Sequence, residues 1–316
     1  MNLRGRTARR ARLVLSGLCV AIGVLGCGGG TSQFEPFEPD MYVAFGDQYS
    51  AVRSDGLRYT VNAMNSAGTA VDCSVEPVWT QALAFQFSFV FAECNPGNAS
   101  ELKARMRAAS GAKVADLQTQ IDNHIASGGF AAKTLASVML GANDVLELYA
   151  SYPLQSEEQL LEAARARGEL LATQINRLAA MNVRVIVATM PDLGLSPYAA
   201  QQKAANTDTD RAALLSRLSA ALNGRLRVTM LNDGRYLGLV LGDEMTQSLS
   251  RWPEIYGLRD GSTTVCTVDV PACTSQTLVA EGASLSWLWA DGLHLAYGGQ
   301  QRLGSLAVSR AVNNPF

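Results

Sequence analysis

Apolar runs alternate with helix-spaced apolar stripes along most of the chain. Met41-Tyr42-Val43-Ala44-Phe45 is a short unbroken run that reads as a buried strand. Val114, Leu117, Ile121 and Ile125 recur at helical spacing. Thr134 to Leu140 reads as a second strand. Ser156-Glu157-Glu158-Gln159 has the form of a capping box, opening a helix whose apolar side carries Leu160, Leu161, Ala164, Leu171, Ile175 and Leu178. Val183 to Met190 is rich in β-branched residues and predicts a buried strand. A helix is expected from about Asp210 to Leu222, stopped by Asn223-Gly224. Leu226 to Leu231 reads as a further strand, and the last helix runs from about Gln300 to Val312. Strands alternating with helices predict an α/β fold with a parallel sheet. Three polar clusters follow strands: Gly46-Asp47-Gln48, Gly141-Ala142-Asn143-Asp144 and Pro191-Asp192-Leu193-Gly194. In an open parallel sheet such ends line one crevice, where ligands bind.

The N-terminus breaks this pattern. Arg4, Arg6, Arg9, Arg10 and Arg12 precede an apolar stretch from Leu13 to Leu25, short for a stable membrane span. It ends in Val24-Leu25-Gly26-Cys27, which resembles a bacterial lipoprotein cleavage box. The resemblance implies removal of residues 1–26 and lipidation of Cys27; ordinary signal cleavage, with Cys27 a spare thiol, is the alternative. Arg9-Arg10 is a weak twin-arginine hint. Gly28 in place of Asp implies outer-membrane sorting in a Gram-negative cell, facing the periplasm or the cell surface. Residues 27–40 read as a lipidated tether and residues 41–316 as one domain.

With 48% apolar residues a sizeable core is available, and a net charge of −2 without a basic patch argues against nucleic-acid binding. Cys19 falls in the signal. That leaves Cys73, Cys94, Cys266 and Cys273, an even number suited to an oxidising compartment. Three connectivities are open, with the local pairs Cys73–Cys94 and Cys266–Cys273 favoured. A metal site is the poorer reading, because the chain has two His and no Cys-x-x-Cys. No cofactor is implied, and nothing in the sequence speaks to oligomeric state.

Taken in order, Phe45-Gly46-Asp47-Gln48-Tyr49-Ser50, Gly141-Ala142-Asn143-Asp144 and Asp291-Gly292-Leu293-His294 resemble the blocks of the GDSL, or SGNH, hydrolase family. Trp79 in Pro77-Val78-Trp79 and the aromatic lead Ser286-Trp287-Leu288-Trp289 resemble further family segments. The family implies a flavodoxin-like three-layer α/β/α fold with a central parallel sheet. It implies ester hydrolysis through an acyl-enzyme, which needs a nucleophile, a base and oxyanion donors. By resemblance His294 is the base, Asp291 orients it, and Asn143 and the N–H of Gly111 belong to the oxyanion hole, with the Gln48 N–H as a further donor. Blander readings stand beside these. His294 would also suit a satisfied histidine at a helix start, Asn143 a turn former, and Gly111 ordinary punctuation. Asp47 is expected to shape its turn through backbone hydrogen bonds.

The family's nucleophilic Ser is replaced by Gln48. A carboxamide has no acidic proton that a histidine could remove to make an attacking oxygen. The leading expectation is therefore an esterase-like lipoprotein that keeps a pocket for an acyl-ester small molecule, lipid or acylated glycan but has lost most serine-esterase activity. The alternatives are a working hydrolase using Ser50 or a His294-activated water, and a structural or interaction lipoprotein. Ser50 fits poorly, since two residues of extended chain displace it by about 7 Å.

Overall fold

The computed structural model of the protein describes residues 37–313 and 316. The signal segment 1–26, Cys27 and most of the tether lie outside the described residues. At the centre is a five-stranded parallel sheet of β1 (Met41–Gly46), β2 (Ala104–Met106), β3 (Thr134–Met139), β4 (Arg184–Ala188) and β5 (Leu237–Val240), in the order β2-β1-β3-β4-β5. The central strands are apolar and buried on both faces, as a parallel sheet between helices requires. On one side α4 (Glu157–Ala180) packs on β4 and against α6 (Arg211–Thr229), while α2 (Asp116–Ala126) packs against β1. On the other, α1 (Trp79–Gln86) packs on α8 (Tyr297–Asn313), which lies against β4 and β5. The expected three-layer α/β/α architecture is what forms. Its chain order switches direction between β1 and β3, the position at which open α/β sheets bind ligands.

The capping box is present: Ser156 Oγ accepts from the Gln159 N–H (3.4 Å) and Gln159 Oε1 from the Ser156 N–H (2.9 Å). Two expectations fail together. Asn223-Gly224 does not stop α6, and Leu226–Leu231 is not a strand. Leu214, Leu218, Leu222 and Leu226 continue one buried stripe, and the buried Asn223 amide donates to Met190 O at 3.0 Å. Close packing with α4 enforces this. A Cβ on Gly168 would lie 2.3 Å from Leu222 O, so the helices meet backbone to backbone. Burial of that stripe outweighs the roughly 1 kcal/mol helix cost of a glycine. The fifth strand is instead the four-residue Leu237–Val240.

The α2 stripe is also shifted. Val114 precedes the helix, Ile125 is 40% exposed, and the buried face is Leu117, Gln120, Ile121 and His124. His124 packs on Phe130 and Phe45, and burial together with the neighbouring Arg107 charge lowers its pKa to about 4. It is a neutral core histidine. Leu161 on α4 is only half-buried.

A rim outside the sheet carries the small parallel pair β6 (Asp260–Thr264) and β7 (Trp287–Trp289). Both disulfides lie here, joined as the favoured pairs Cys73–Cys94 and Cys266–Cys273. Residues 58–62 are fastened to both bridges. Arg58 Nη1 donates to the carbonyls of Cys73 (3.1 Å), Val75 (3.0 Å) and Glu76 (3.0 Å), and the Asn62 N–H donates to Cys273 O (3.0 Å). Among the described residues no helix is long and apolar enough to cross a membrane.

Candidate functional site

β1 and β3 run in parallel register, with Phe45 beside Val138 and Gly46 beside Met139, so the segments after them emerge at the same end of the sheet. Gly46 turns the chain with φ +141°, and a Cβ there would lie 2.5 Å from Met139 O. Only glycine fits. Gln120 clamps this peptide from α2: its Oε1 accepts from the Gly46 N–H and its Nε2 donates to Gly46 O, both at 2.9 Å. Asp47 Oδ1 then accepts from the Tyr49 N–H (3.0 Å), the turn-shaping role expected of it.

Asp47 is buried, and burial pushes its pKa up to about 8, with the Asp144 charge adding to the rise. The folded chain therefore holds a proton that the unfolded chain releases near the ordinary carboxylate range. Stability falls as pH rises through the window from about 4 to about 8. Asp47→Asn keeps the oxygen and removes the charge. Its Tm should exceed that of the unmodified chain by roughly 5 °C or more at pH 8, with the gap closing near pH 4. Thermal melts across that range check it; a pH-independent gap would show that titration of Asp47 is not the cause.

After β3 the chain enters α3 (Ala142–Ala150), whose second residue is Asn143. The next, Asp144, is fully buried. Its Oδ2 accepts from the Val114 N–H (2.8 Å) and its Oδ1 pairs with Arg167 (2.5 Å). Asn143 Nδ2 donates to Ala112 O (2.8 Å). These bonds pin the 111–114 segment to the start of α3 and bring the Gly111 N–H beside the Asn143 amide.

Gln48 lies between them. Its Oε1 accepts from the Gly111 N–H (3.1 Å) and from Asn143 Nδ2 (2.9 Å), while its Nε2 donates to Asn143 Oδ1 (3.0 Å). The two carboxamides thus form a reciprocal pair, 8% exposed on the Gln48 side. Both Asn143 N–H groups and its oxygen are in use.

The third block follows β7. Asp291 Oδ1 accepts from the backbone N–H groups of Leu293 (2.9 Å) and His294 (2.7 Å), closing a tight turn. Both Asp291 oxygens lie 3.0 Å from His294 Nδ1. Burial pushes the Asp291 carboxyl up, but the His294 and backbone bonds outweigh it and hold it below the usual carboxylate range. His294 Nε2 is buried and has no protein partner. The ring lies 5.2 Å from that of Tyr49 and 5.7 Å from that of Tyr59. The Tyr49 hydroxyl donates to Leu293 O (2.6 Å), so the residue after Gln48 ties the first block to the third.

The structure thus assembles Gln48, Gly111 and Asn143 in one cluster and Asp291 with His294 in another, joined through Tyr49. Pro191–Gly194 does not take part. Asp192 accepts from the Gly194 N–H, Ser216 and Gln247 and so fastens its own turn to α6 and to α7 (Gly242–Arg251), which uses up the polar groups expected in the crevice. Ser50 is fully buried, with its carbonyl held by Thr80 Oγ1 (2.8 Å). Trp79 is buried; its backbone N–H donates to Gln300 Oε1 (3.0 Å), and Gln300 Nε2 donates to Tyr49 O (3.5 Å), bracing the turn from α8. Tyr49, Tyr59, Gln120 and Gln300 were not apparent as site residues. Tyr49 alone carried a signal, its position inside the first block. Two clefts of about 320 and 370 Å³ lie elsewhere, one between α1 and α8 and one along β2.

The sequence profile of the GDSL-like lipase/acylhydrolase family matches residues 42–307. No curated protein matches the chain. Among solved structures, the chain is similar to a putative GDSL-like lipase from Parabacteroides merdae, at 14% identity and TM-score 0.46, covering 87% of this chain and 97% of that one. It is also similar to an acetylxylan esterase from Geobacillus stearothermophilus, at 14% identity and TM-score 0.42, covering 88% and 96%. A member of the lipolytic G-D-S-L family from Veillonella parvula matches at 11% identity and TM-score 0.42, covering 85% and 96%.

Proposed function

The chain belongs to the GDSL-like lipase/acylhydrolase family, and on that premise we propose that it is a lipid-anchored envelope protein that keeps the family's site framework without its serine reaction. One observation carries this reading: the Gln48 carbonyl accepts from the Gly111 N–H and Asn143 Nδ2. In an acyl transfer those two donors would hold the oxygen of the substrate carbonyl as negative charge develops on it. Gln48 supplies its own carbonyl there, and it offers no hydroxyl to attack an ester. The reaction is thus blocked twice by one side chain, through loss of the nucleophile and through occupation of the donors.

The test uses a serine-directed fluorophosphonate followed by peptide mass spectrometry, with p-nitrophenyl butyrate turnover measured in parallel. No adduct at residue 48 and turnover at the buffer rate are expected. An adduct accompanied by loss of His294-dependent turnover would overturn the reading. The same experiment separates the rival hydrolase. His294 with Asp291 on Nδ1 and a bare Nε2 is arranged as a general base, which favours water activation over attack by the buried Ser50. Turnover that resists the phosphonate but disappears in His294→Ala would establish that route. A purely structural or interaction role predicts that neither residue matters to any ligand.

Anchoring through Cys27 is part of the proposal, with the outer membrane as the site and the periplasm or cell surface as the facing compartment. Several acyl chains on one cysteine would anchor it stably, whereas one would not. The mass of the mature N-terminal peptide checks this; an unmodified Cys27 thiol would refute it.

A further inference from the structure

β2 lies at one edge of the five-stranded sheet and pairs with β1 on one side only. The Tyr42 N–H donates to Lys103 O (2.9 Å) and the Arg107 N–H to Ala44 O (2.8 Å), so Lys103, Arg105 and Arg107 turn their ladder groups toward β1. Ala104 and Met106 turn theirs outward. Ala104 is 1% exposed, and its carbonyl accepts from Arg105 Nη1 (3.1 Å). Met106 is half-buried, and neither its N–H nor its carbonyl has a partner among the described residues. An edge of this kind is a template for another strand. The 370 Å³ cleft runs along it, with Ala92, Glu93, Ser100 and Leu102 as the opposite wall. That wall is braced: Cys94 is bridged to Cys73, and the Asn95 side chain bonds the Ala99 N–H (2.9 Å) and carbonyl (3.0 Å).

Side chains along the edge are sorted by face. Lys103, Arg105 and Arg107 alternate onto the face toward α2, where Arg107 Nε donates to His124 Nδ1 (3.4 Å) and its Nη2 to Ser127 Oγ (2.5 Å). None of the three cations has an ion-pair partner among the described residues. Met106 points to the other face, against the apolar cluster of Val52, Val78 and Cys94. We propose that this edge takes up an extended acidic segment of a partner protein as an antiparallel sixth strand, with the pattern acidic–apolar–acidic centred on Met106. The central residue exchanges both backbone bonds with Met106 and sets its apolar side chain on the Met106 face. The residues before and after it share the face of Arg105 and Arg107 and bring the carboxylates that those cations lack. Glu93, the one acid among the lining residues, leaves two cations against one anion there. A second copy of this chain is a poor occupant, because pairing β2 with β2 sets like charges against each other. The free backbone groups of Met106 favour a peptide over a polyanion that carries charge alone.

Three blocked peptides test it against the full chain in detergent: acetyl-Thr-Glu-Val-Glu-Thr-amide, the same peptide with Gln for both Glu, and the same peptide N-methylated at Val. Calorimetry should show saturable binding of the first, weakened about tenfold or more in each of the others. The N-methyl group removes the bond to Met106 O and keeps both charges, so it separates strand addition from charge attraction. At saturation the first peptide should slow hydrogen exchange in the fragment that contains Met106 and leave α8 unchanged. Arg105→Gln should weaken binding about fivefold, and Arg105→Lys by less, since the charge stays while the planar fork is lost. The peptide series uses the unmodified chain, so it decides the question whatever a variant does to folding. Equal binding of the N-methylated peptide, unchanged exchange at Met106, or binding of dextran sulfate with none of the glutamate peptide overturns the proposal. Each of these outcomes leaves the reading of Gln48 untouched, because β2 and its cleft are separate from the two site clusters.

Discussion

Gln48→Ser should raise p-nitrophenyl acetate hydrolysis by about 10²-fold or more over the unmodified chain, and adding His294→Ala should return it to background. The substitution does two things at once. It installs a hydroxyl at the end of β1, and it withdraws the carbonyl that holds the Gly111 N–H and Asn143 Nδ2. One oxyanion donor alone is worth about 10²–10³ in rate, and a working triad adds far more. The base needs no rebuilding, since Asp291 already orients His294 through Nδ1. The expected gain is kept at the lower end because, on the proposed function, nothing holds residue 48 and His294 Nε2 in register. Three bonds made by Gln48 are also lost, at about 2 kcal/mol together, so activity should rise while Tm falls. A silent Gln48→Ser that remains folded would mean the two clusters have drifted apart, which would raise the structural or interaction reading. Activity already present in the unmodified chain and lost in His294→Ala would point to activated water.

Arg58→Met is expected to be the most damaging single change on the rim, at about 3 kcal/mol or more. The guanidinium is fully buried and bonded to three backbone carbonyls, Cys73, Val75 and Glu76, and to the Asn62 side chain (Nε to Oδ1, 3.3 Å). Burial lowers its pKa to about 10, with Glu76 and Asp72 opposing the fall, so it is still charged at neutral pH. Methionine replaces the aliphatic stem and leaves the carbonyls bare, each a desolvation cost of about 1–3 kcal/mol, partly relieved by water. A Tm lower by roughly 10 °C follows for a chain of this size. Differential scanning calorimetry with both disulfides intact measures it. A shift under about 2 °C would mean that the carbonyls find other donors and that Arg58 is not what holds the loop.

How far the sequence reaches differs along the chain. β1, β3 and the start of α4 were legible because local pattern and tertiary demand agree there: unbroken apolar runs for strands buried on both faces, and Ser156 with Gln159 for a capped helix. The region after Asn223 was misread because propensity and packing disagree. Asn-Gly signals a stop, while the Leu214-to-Leu226 stripe and the Gly168 contact demand continuation. β5, four residues long and containing Gly238, is too short to leave a periodic signature. At the site, polar residues after strands marked Gln48 and Asn143, the resemblance to the family's blocks marked His294, and the structure brings them into two neighbouring clusters. Which way Gln48 points was not legible. Its direction depends on where the 111–114 segment sits, and that is fixed by Asp144 accepting from Val114, a bond between blocks thirty residues apart. Gln120 and Gln300 are likewise invisible in sequence, since each acts on a backbone group far along the chain.

The placement of the two disulfides bears on how the protein is made. Neither cross-link joins strands of the five-stranded sheet; both brace the loops that carry Arg58, Asn62 and, through the Cys266 N–H on Ala290 O and the Ala290 N–H on His294 O, the histidine turn. A bacterial host that keeps its cytosol reducing would deny the chain those braces while leaving the sheet free to assemble. Such material is expected to pass a far-ultraviolet dichroism check, yet be loose around Tyr59 and His294. An environment in which both disulfides can form is therefore a condition for full bracing of the histidine turn and not a matter of yield.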